Sequence, residues 1–596
     1  MNHDADDRRL FLDVAKSATG AAWLHRLGRR AEREAQLMEQ AHGLSGVIGR
    51  ILAGRGVPAG EAERFLDPTI RDLLPDPSTL TGMVAVANRI ADAIRRKERI
   101  AIFGDYDVDG ACSSALLKRY CGHFGVDAEI YIPDRVFEGY GPNPEAMREL
   151  AGRARLIVTV DCGSNSSVAI AAAVEAGADV VVIDHHQIGG PLPECAGVVN
   201  PNREDDLSGQ GHLCAAGVVF LVLVQVSRLL ASGGVKGPDL LKGLDLVGLA
   251  TVCDVVPLKG VNRAFVVKGL LQARRLENAG IAALSKVARI GEPLNAFHFG
   301  FLIGPRINAG GRIGDAALGA RLLTLDDPSH AMPIAQRLDE LNAERQAMEQ
   351  AMLAEAKAEA DAELSSANPP TVIVTASDKW HPGIVGLIAA RLKEHSGRPA
   401  FAIHFNANGV GAGSGRSIAG FDLGHLVREA VEAGILVKGG GHAMAAGITV
   451  EKSRLGELRA FFEARAAHAV GRLVADHTVE IDAMMAADGA TLAFLDEMDK
   501  AGPYGRGHPA PVLAFAHHRV ADCRAVGAGG HLRVVLASQA GAKLVAMAWR
   551  ADRTPLGDFL MKHRGQPIHV AGNLSVNHFN GQASPQLRIV DAAEAG

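Results

Sequence analysis

Three short apolar runs punctuate the first half of the chain: Ile100-Ala-Ile-Phe103, Leu156-Ile-Val-Thr-Val160 and Val180-Val-Val-Ile183. Runs of this length, rich in β-branched side chains and without polar alternation, predict strands buried on both faces. Stretches with helical spacing lie ahead of and between them, at 83–97, 112–124 and 168–176. This strand–helix–strand alternation predicts an α/β unit with a mostly parallel sheet, whose ligands bind beyond the carboxyl ends of the strands. The polar residues of this region cluster at those ends.

The pattern differs elsewhere. In residues 1–80 the apolar positions around Trp23, Leu24 and Leu27, and again at Val47, Ile48, Ile51 and Leu52, predict helices. Gly54 and Gly56 end the second of these, and Pro58 suits the opening of another. An alanine- and glutamate-rich stretch from 333 predicts one long helix closed by Pro369-Pro370. A second α/β pattern follows, with strands at 371–375 and 400–404 around a helix at 383–394. The last hundred or so residues carry short β-rich runs separated by glycine turns, at 477–481, 512–515, 532–536, 544–549, 568–572 and 586–590. These predict a small β-barrel of the oligonucleotide-binding kind. At 596 residues the chain exceeds what one hydrophobic core supports. The expected organisation is an N-terminal helical region (1–80), a parallel-sheet domain (81–332), a connecting helix (333–368), a smaller α/β domain (369–472) and a C-terminal barrel (473–596).

Composition changes this picture little. With 48% hydrophobic and 22% charged residues the chain reads as an ordinary globular protein. Its acidic, polar start and the lack of an uninterrupted apolar run of ~18–20 residues argue against a signal sequence or membrane span, hence for a cytoplasmic protein. The seven cysteines show no CxxC spacing, which excludes a zinc ribbon and fits reduced thiols. A net charge of −5 argues against a protein that coats nucleic acid. It leaves room for an enzyme with a local positive channel, because bound divalent cations invert the sign of a carboxylate-lined site.

Four motifs carry the candidate chemistry. Phe103-Gly-Asp-Tyr-Asp-Val-Asp-Gly110 follows a strand, and in extended backbone Asp105 and Asp107 project to one side. Val160-Asp-Cys-Gly163 and Ile183-Asp-His-His186 again set acids and imidazoles at strand ends, and Asp254 sits in the apolar run Ala250–Leu258. Each alone has a structural explanation, as does His517-His518, which no acid flanks. Four acid- or imidazole-tipped strands in one α/β unit predict a metal site, and the mix of oxygen and imidazole ligands suits manganese, iron or zinc better than calcium. In the second α/β domain, Ser414-Gly-Arg416-Ser417 and Gly439-Gly-Gly-His442 offer hydroxyls, backbone N–H groups and a guanidinium to a phosphate. Arg391, Arg398 and Lys438 add positive charge. The glycine clusters match neither a dinucleotide fingerprint nor a P-loop.

The series GDYDVDG, VDCG, IDHH and CDVVPL resembles the motifs of the DHH phosphoesterase superfamily, named for a triplet like Asp184-His185-His186. Gly439-Gly-Gly-His442-Ala-Met-Ala-Ala-Gly447 is similar to the signature of the associated DHHA1 domain. Arg306-Ile-Asn-Ala-Gly-Gly-Arg312, Phe65-Leu-Asp-Pro68 and Gly502-Pro-Tyr-Gly-Arg-Gly-His-Pro509 resemble segments of its RecJ branch. The resemblance covers nearly the whole chain. It implies two Mn²⁺ or Mg²⁺ ions held by Asp105, Asp107, Asp161, His185 and Asp254, with Asp107 bridging. His186 would then stabilise charge at the phosphate, while Asp109 and Asp184 orient the ligands. Arg306, Arg312, Arg391, Ser414, Arg416, Gly440, Gly441 and His442 would contact substrate.

The implied activity is processive 5′-to-3′ exonucleolytic hydrolysis of single-stranded DNA in repair and recombination. The implied setting is a monomer working with single-strand-binding protein and a RecQ-type helicase, with no membrane role. In the barrel, Phe515, Trp549 and Phe579 are candidates for base stacking, and Arg506, Arg533, Arg550 and Lys562 for backbone contacts. Two positions depart from the family pattern. Phe103 stands where many relatives carry a histidine, which leaves one metal with fewer protein ligands. His508 stands where asparagine is usual, with little consequence expected. The competing readings are a phosphodiesterase of short oligoribonucleotides or cyclic dinucleotides, a metal-free replication factor, and a dehydrogenase. The first lacks a use for the terminal segments, the second requires broken metal motifs, and the third requires the missing fingerprint.

Overall fold

The computed structural model describes residues 9–134, 138–139, 141–527, 529–579 and 582–595, and leaves the side chain of Phe579 outside the described part. The chain divides into two compact units. The larger comprises residues 73–256 and 260–475. The smaller comprises 1–72, 257–259 and 476–596.

The larger unit contains two sheets. In the first, β1 (Ile100–Gly104), β2 (Ala128–Tyr131), β3 (Leu156–Val160), β4 (Asp179–Ile183) and β5 (Gly197–Val199) are all parallel in the order β2-β1-β3-β4-β5. Every residue of β1 and β3 is buried, as their unbroken apolar runs require. The strand order reverses between β1 and β3, which opens a crevice at their carboxyl ends. Helix α1 (Val108–His123) leaves β1 there, and α2 (Ala215–Ser232) and α3 (Leu244–Cys253) pack alongside it. The run leading to Asp254 is therefore a helix and not the strand expected from its apolar content. It is buried on nearly all sides, so it shows none of the polar stripe by which helices are read. Helix α2 is long and apolar enough to cross a membrane, but most of it is buried in this core.

Helix α4 (Gly304–Ile313) and the 37-residue α5 (Pro328–Leu364) lead to the second sheet. Its strands β6 (Ile373–Ser377), β7 (Ala400–Phe405), β8 (Val410–Arg416), β9 (Lys438–His442) and β10 (Ala445–Glu451) run in the order β9-β10-β8-β7-β6. Between β8 and β9 lies helix α6 (Leu423–Glu432). The two glycine-rich segments that carry the candidate phosphate-binding groups are thus strands. A Cβ on Gly415 would stand 2.4 Å from the ring of Phe401, so glycine lets β8 lie flat against aromatic side chains of the sheet.

In the smaller unit the strands Leu513–Val526, His531–Ala537, Lys543–Ala548, Gln582–Glu594 and Pro567–Phe579 pair in that sequence, and the last pairs back with the first. The result is a closed barrel, with Phe515 fully buried among its core side chains. Residues Ala22–His25 form a strand parallel to Thr478–Ile481, where helical spacing predicted a helix. Tertiary contacts override the local pattern: Trp23 is completely buried, and its indole N–H donates to Asp591 Oδ2 at 2.9 Å in the barrel's last strand. The helices Arg29–His42 and Gly46–Ala53 follow.

Asp482, fully buried, accepts from the Arg55 guanidinium, lies 3.1 Å from Arg26 Nε and accepts from Val512 N–H at 2.9 Å. The Phe65 ring lies 5.1 Å from His508, which stacks on Tyr504 and hydrogen-bonds the Ala501 carbonyl oxygen at 2.8 Å. His508 is therefore a packed, hydrogen-bonded group of this unit. The same turn holds residues 257–259, because Leu258 N–H donates to the Arg506 carbonyl oxygen at 2.9 Å. Removing Asp482 strands a buried guanidinium. Asp482→Ala is expected to lose about 3–5 kcal/mol of this unit's stability in urea unfolding. Asp522→Ala, on the barrel exterior, should change it by less than about 0.5 kcal/mol.

Candidate active site

The site is built at the carboxyl ends of β1, β3 and β4. Asp105 follows β1 directly and accepts from Tyr106 N–H at 2.7 Å. Asp107 is the N-cap of α1, and its Oδ1 accepts from the N–H groups of Asp109 (2.9 Å) and Gly110 (3.1 Å). That capping holds the carboxyl at the strand–helix corner and leaves its second oxygen for a ligand. Asp161 follows β3 with φ of 61°, a left-handed conformation that turns its side chain toward the two acids. Asp254 is the residue after α3.

Potential ligand atoms fall into three groups, each within 4.8 Å: Asp105, Asp107 and Asp161; Asp161, His185 and His186; and Asp109, His185 and Asp254. The five residues expected as metal ligands thus meet in one place, with Asp109 and His186 beside them. Asp161 Oδ1 is buried and accepts no hydrogen bond among the described residues; His185 Nε2 lies 3.3 Å away. A buried oxygen left this way is costly unless a cation completes it. Burial, reinforced by Asp109, Asp107, Asp105 and Asp254, pushes the Asp161 carboxyl well above the ordinary carboxylate range. Carboxylate oxygens with one imidazole nitrogen are a donor set for divalent manganese or magnesium, and these residues fit it.

The surrounding hydrogen bonds orient that set. His185 Nδ1 lies 3.0 Å from the Leu213 carbonyl oxygen, so Nδ1 carries the proton and the Nε2 lone pair faces the acids. Burial lowers the His185 imidazole, which keeps that nitrogen unprotonated. Asp109 accepts from Ala215 and Ala216 N–H at 2.6 and 2.8 Å, the amino terminus of α2. Both its oxygens are engaged there, which gives it an anchoring role.

Asp184 accepts from the N–H groups of Ser164, His185 and His186 and from His186 Nδ1 at 2.8 Å. Burial would raise this carboxyl, but the bond and charge of His186 outweigh it and hold it well below its usual range. Burial likewise opposes the charged form of His186, and the Asp184 partner reverses this, lifting the imidazole to about 9. His186 also lines a cleft.

Sequence reasoning missed Asn200 and Asn202. Asn200 Nδ2 donates to Ser164 Oγ and the His186 carbonyl oxygen, both at 2.9 Å, and Asn202 Nδ2 donates to the His185 carbonyl oxygen at 2.6 Å. The available signal was polar residues directly after the apolar pair Val198-Val199, the same strand-end pattern used elsewhere. Phe103 is completely buried in the apolar cluster with Ala101, Ile157 and Val180, so position 103 supplies no ligand.

The cleft, of about 1260 Å³, is lined by Tyr106, Asp184 and His186 from the first α/β region and by Ser414, Arg416, Gly440, Gly441 and His442 from the second. Arg416 donates to Ser414 Oγ at 2.9 Å, which presents hydroxyl and guanidinium together. Arg428, unremarked in the sequence, also lines it. Partial burial and the nearby His186 and Arg428 hold His442 below the usual imidazole range.

The other arginines expected at substrate lie elsewhere. Arg306 pairs with Asp339 at 2.8 Å and donates to the Leu302 carbonyl oxygen, tying α4 to α5. Arg391 pairs with Glu349 and Glu394, and Arg398 donates to the carbonyl oxygens of Pro369 and Pro370. Arg312 donates to the Gly383 carbonyl oxygen, positioning a turn that lines the cleft. Carboxylate partners on neighbouring helices claimed Arg306 and Arg391, which a sequence motif does not display. In the smaller unit Phe515 is buried and unavailable for stacking, Trp549 is half-exposed beside His531, and Arg506, Arg550 and Lys562 are exposed, with Arg533 less so. His518 accepts from Ala487 N–H, the structural role expected of it.

Comparison with known proteins gives a consistent result over the whole chain. Residues 99–248 match the DHH family, N-terminal domain, residues 369–468 the DHHA1 domain, and residues 481–591 the RecJ OB domain. The chain is 34% identical over 583 residues to the single-stranded-DNA-specific exonuclease RecJ of Dickeya dadantii, covering 94% of this chain and 98% of that one. It is 33% identical to the protein of the same name from Escherichia coli, covering 91% and 95%. Among solved structures it is similar to RecJ in complex with Mn²⁺ from Thermus thermophilus, with a TM-score of 0.77 and 30% identity, covering 96% of this chain and 78% of that one. The Mg²⁺ complex of the Thermus protein matches with a TM-score of 0.72, 28% identity and the same coverage. The metal-binding corner, the glycine-edged cleft and the closed barrel thus occur in one chain that belongs to the RecJ family of DHH phosphoesterases.

Proposed function

We propose that this chain is a metal-dependent exonuclease that hydrolyses single-stranded DNA from its 5′ end, acting in DNA repair and recombination. The observation that carries the reading is the cleft itself, which brings Asp184 and His186 together with Ser414 and Arg416. A phosphate gripped by Ser414 and Arg416 would share this cleft with His186, an arrangement that suits engagement of a strand by its end. The 5′ polarity rests on the family resemblance.

Asp105, Asp107, Asp161, His185 and Asp254 would hold two Mn²⁺ or Mg²⁺ ions. When bound, such ions lower the pKa of water and neutralise charge on attacking and leaving oxygens. The remaining work falls to the chain. His186, fixed through Nδ1 on Asp184, keeps a proton on Nε2 and donates it toward a phosphoryl oxygen as charge develops there. Asp109, anchored on α2, and Asn200 and Asn202, anchored on the His186 and His185 carbonyl oxygens, hold the ligands in register. Arg428 offers a second positive contact to the strand. A single-strand enzyme depends on a supply of unpaired DNA, which a RecQ-type helicase and single-strand-binding protein would provide to a monomeric nuclease.

Three outcomes test the reading. Full-length protein with Mn²⁺ and single-stranded DNA labelled separately at each end should release label first from the 5′ end, and chelation should abolish hydrolysis until Mn²⁺ is restored. Preferential hydrolysis of a dinucleotide RNA or a cyclic dinucleotide would replace the DNA reading with the small-substrate one. Asp107→Ala and Asp161→Ala should each leave less than about a tenth of the wild-type rate in saturating Mn²⁺ while still melting cooperatively as folded proteins, whereas His186→Ala should act mainly on kcat. Finally, Arg416→Ala should raise KM at least about tenfold for a 5′-phosphorylated strand and reduce its advantage over a 5′-hydroxyl strand, as loss of a charge-assisted contact requires. An unchanged preference would remove Arg416 from the phosphate site.

A further inference from the structure

Phe297 and Phe301 are 58% and 68% exposed, although both are phenylalanines of the larger unit's helical core region. Their rings stack on one another, with centroids 5.0 Å apart and planes inclined by 23°. They flank and occupy a π-helical turn, His298–Ile303, a rare geometry found most often at functional sites. The rest of that turn is fixed. Phe299 and Ile303 are completely buried, and His298 is buried with Nε2 3.0 Å from Glu292. Only the two rings face outward as a pair.

The turn is bonded to the end of α3 that carries a ligand. Cys253 Sγ donates to the Phe299 carbonyl oxygen at 3.4 Å, and a Cβ on Gly300 would stand 3.5 Å from Val252. Asp254 is the next residue of the chain. The exposed ring pair therefore belongs to a turn packed on the helix end that sets Asp254, one residue beyond Cys253. The turn carries no lysine or arginine and its one histidine is buried, so the chemistry of the pair is that of a flat π-face. A nucleobase is the component of a single strand that recognises such a face, and it does so irrespective of sequence.

We infer that Phe297 and Phe301 form a stacking ledge for one base of the single strand outside the catalytic cleft. This rests on the proposed single-strand exonuclease reading. Stacking of one base on such a ledge secures the strand while the cleft works on its end. It also replaces in the larger unit the stacking that Phe515 does not offer in the barrel.

The test is a cycle between protein and DNA. Wild-type protein, Phe297→Ala/Phe301→Ala and Phe297→Trp/Phe301→Trp are compared on 5′-phosphorylated single strands carrying one abasic site, moved a nucleotide at a time. The Ala pair should raise KM on the intact strand about tenfold, with an unchanged thermal melt, and the Trp pair should retain the wild-type value. At one position the abasic site should raise the wild-type KM by a similar factor and add less than about twofold to the Ala pair, the non-additivity expected of groups in contact. An unchanged KM for the Ala pair, or full additivity at every position, would overturn the ledge. Failure of wild-type protein to degrade the intact strand would instead overturn the exonuclease reading.

Discussion

Everything in the catalytic unit depends on crowding carboxylates into a buried corner without letting them repel the fold apart. Asp105, Asp107, Asp109, Asp161 and Asp184 approach one another at the switch point of a parallel sheet, where the strand order leaves a crevice. Each is handled differently. Asp109 is neutralised by the amino terminus of α2, Asp184 by three backbone N–H groups and His186, and Asp107 by capping α1. Asp161 Oδ1 receives no such donor among the described residues, and the charge around it is what divalent cations satisfy. Folding and metal affinity are thus two aspects of one electrostatic arrangement.

That arrangement needs backbone to come unusually close to backbone. A Cβ on Gly110 would stand 2.4 Å from the Asp105 carbonyl oxygen, and one on Gly311 would stand 2.6 Å from that of Tyr106. Helices α1 and α4 therefore press directly on the Asp105–Asp107 corner, which holds its geometry by contact on both sides. The Arg306-to-Arg312 segment takes part in this packing: Gly311 meets the corner, while Arg306 secures α4 to α5 and Arg312 sets the turn at Gly383.

The smaller unit is held together differently. Its barrel core is apolar, and its N-terminal strand, Trp23 and the buried Asp482 with Arg55 tie the first residues of the chain to the last hundred. The Phe65-to-Pro68 and Gly502-to-Pro509 segments meet in the ring contact of Phe65 with His508, and Arg506 bonds the Leu258 backbone. Segments far apart in the chain serve one local packing problem.

The sequence by itself determined the α/β class, the strands β1, β3 and β4, the long helix and the barrel, because unbroken apolar runs and their turn residues are local signals. It also determined which acids and imidazoles end those strands, since the end of a buried run is visible in the chain. Tertiary structure alone decided that the Asp254 segment is a helix, that Ala22–His25 is a strand, and that the glycine runs near Ser414 and His442 are strands. In each case the deciding contacts come from residues distant in sequence: helices that bury the Asp254 run on nearly all sides, Asp591 on Trp23, and Phe401 against Gly415. The same holds for the arginines and aromatics. Whether Arg306 and Arg391 face a substrate or a carboxylate, and whether Phe515 or Phe297 is exposed, depends on which neighbours packing brings to them, and a residue's identity does not encode that.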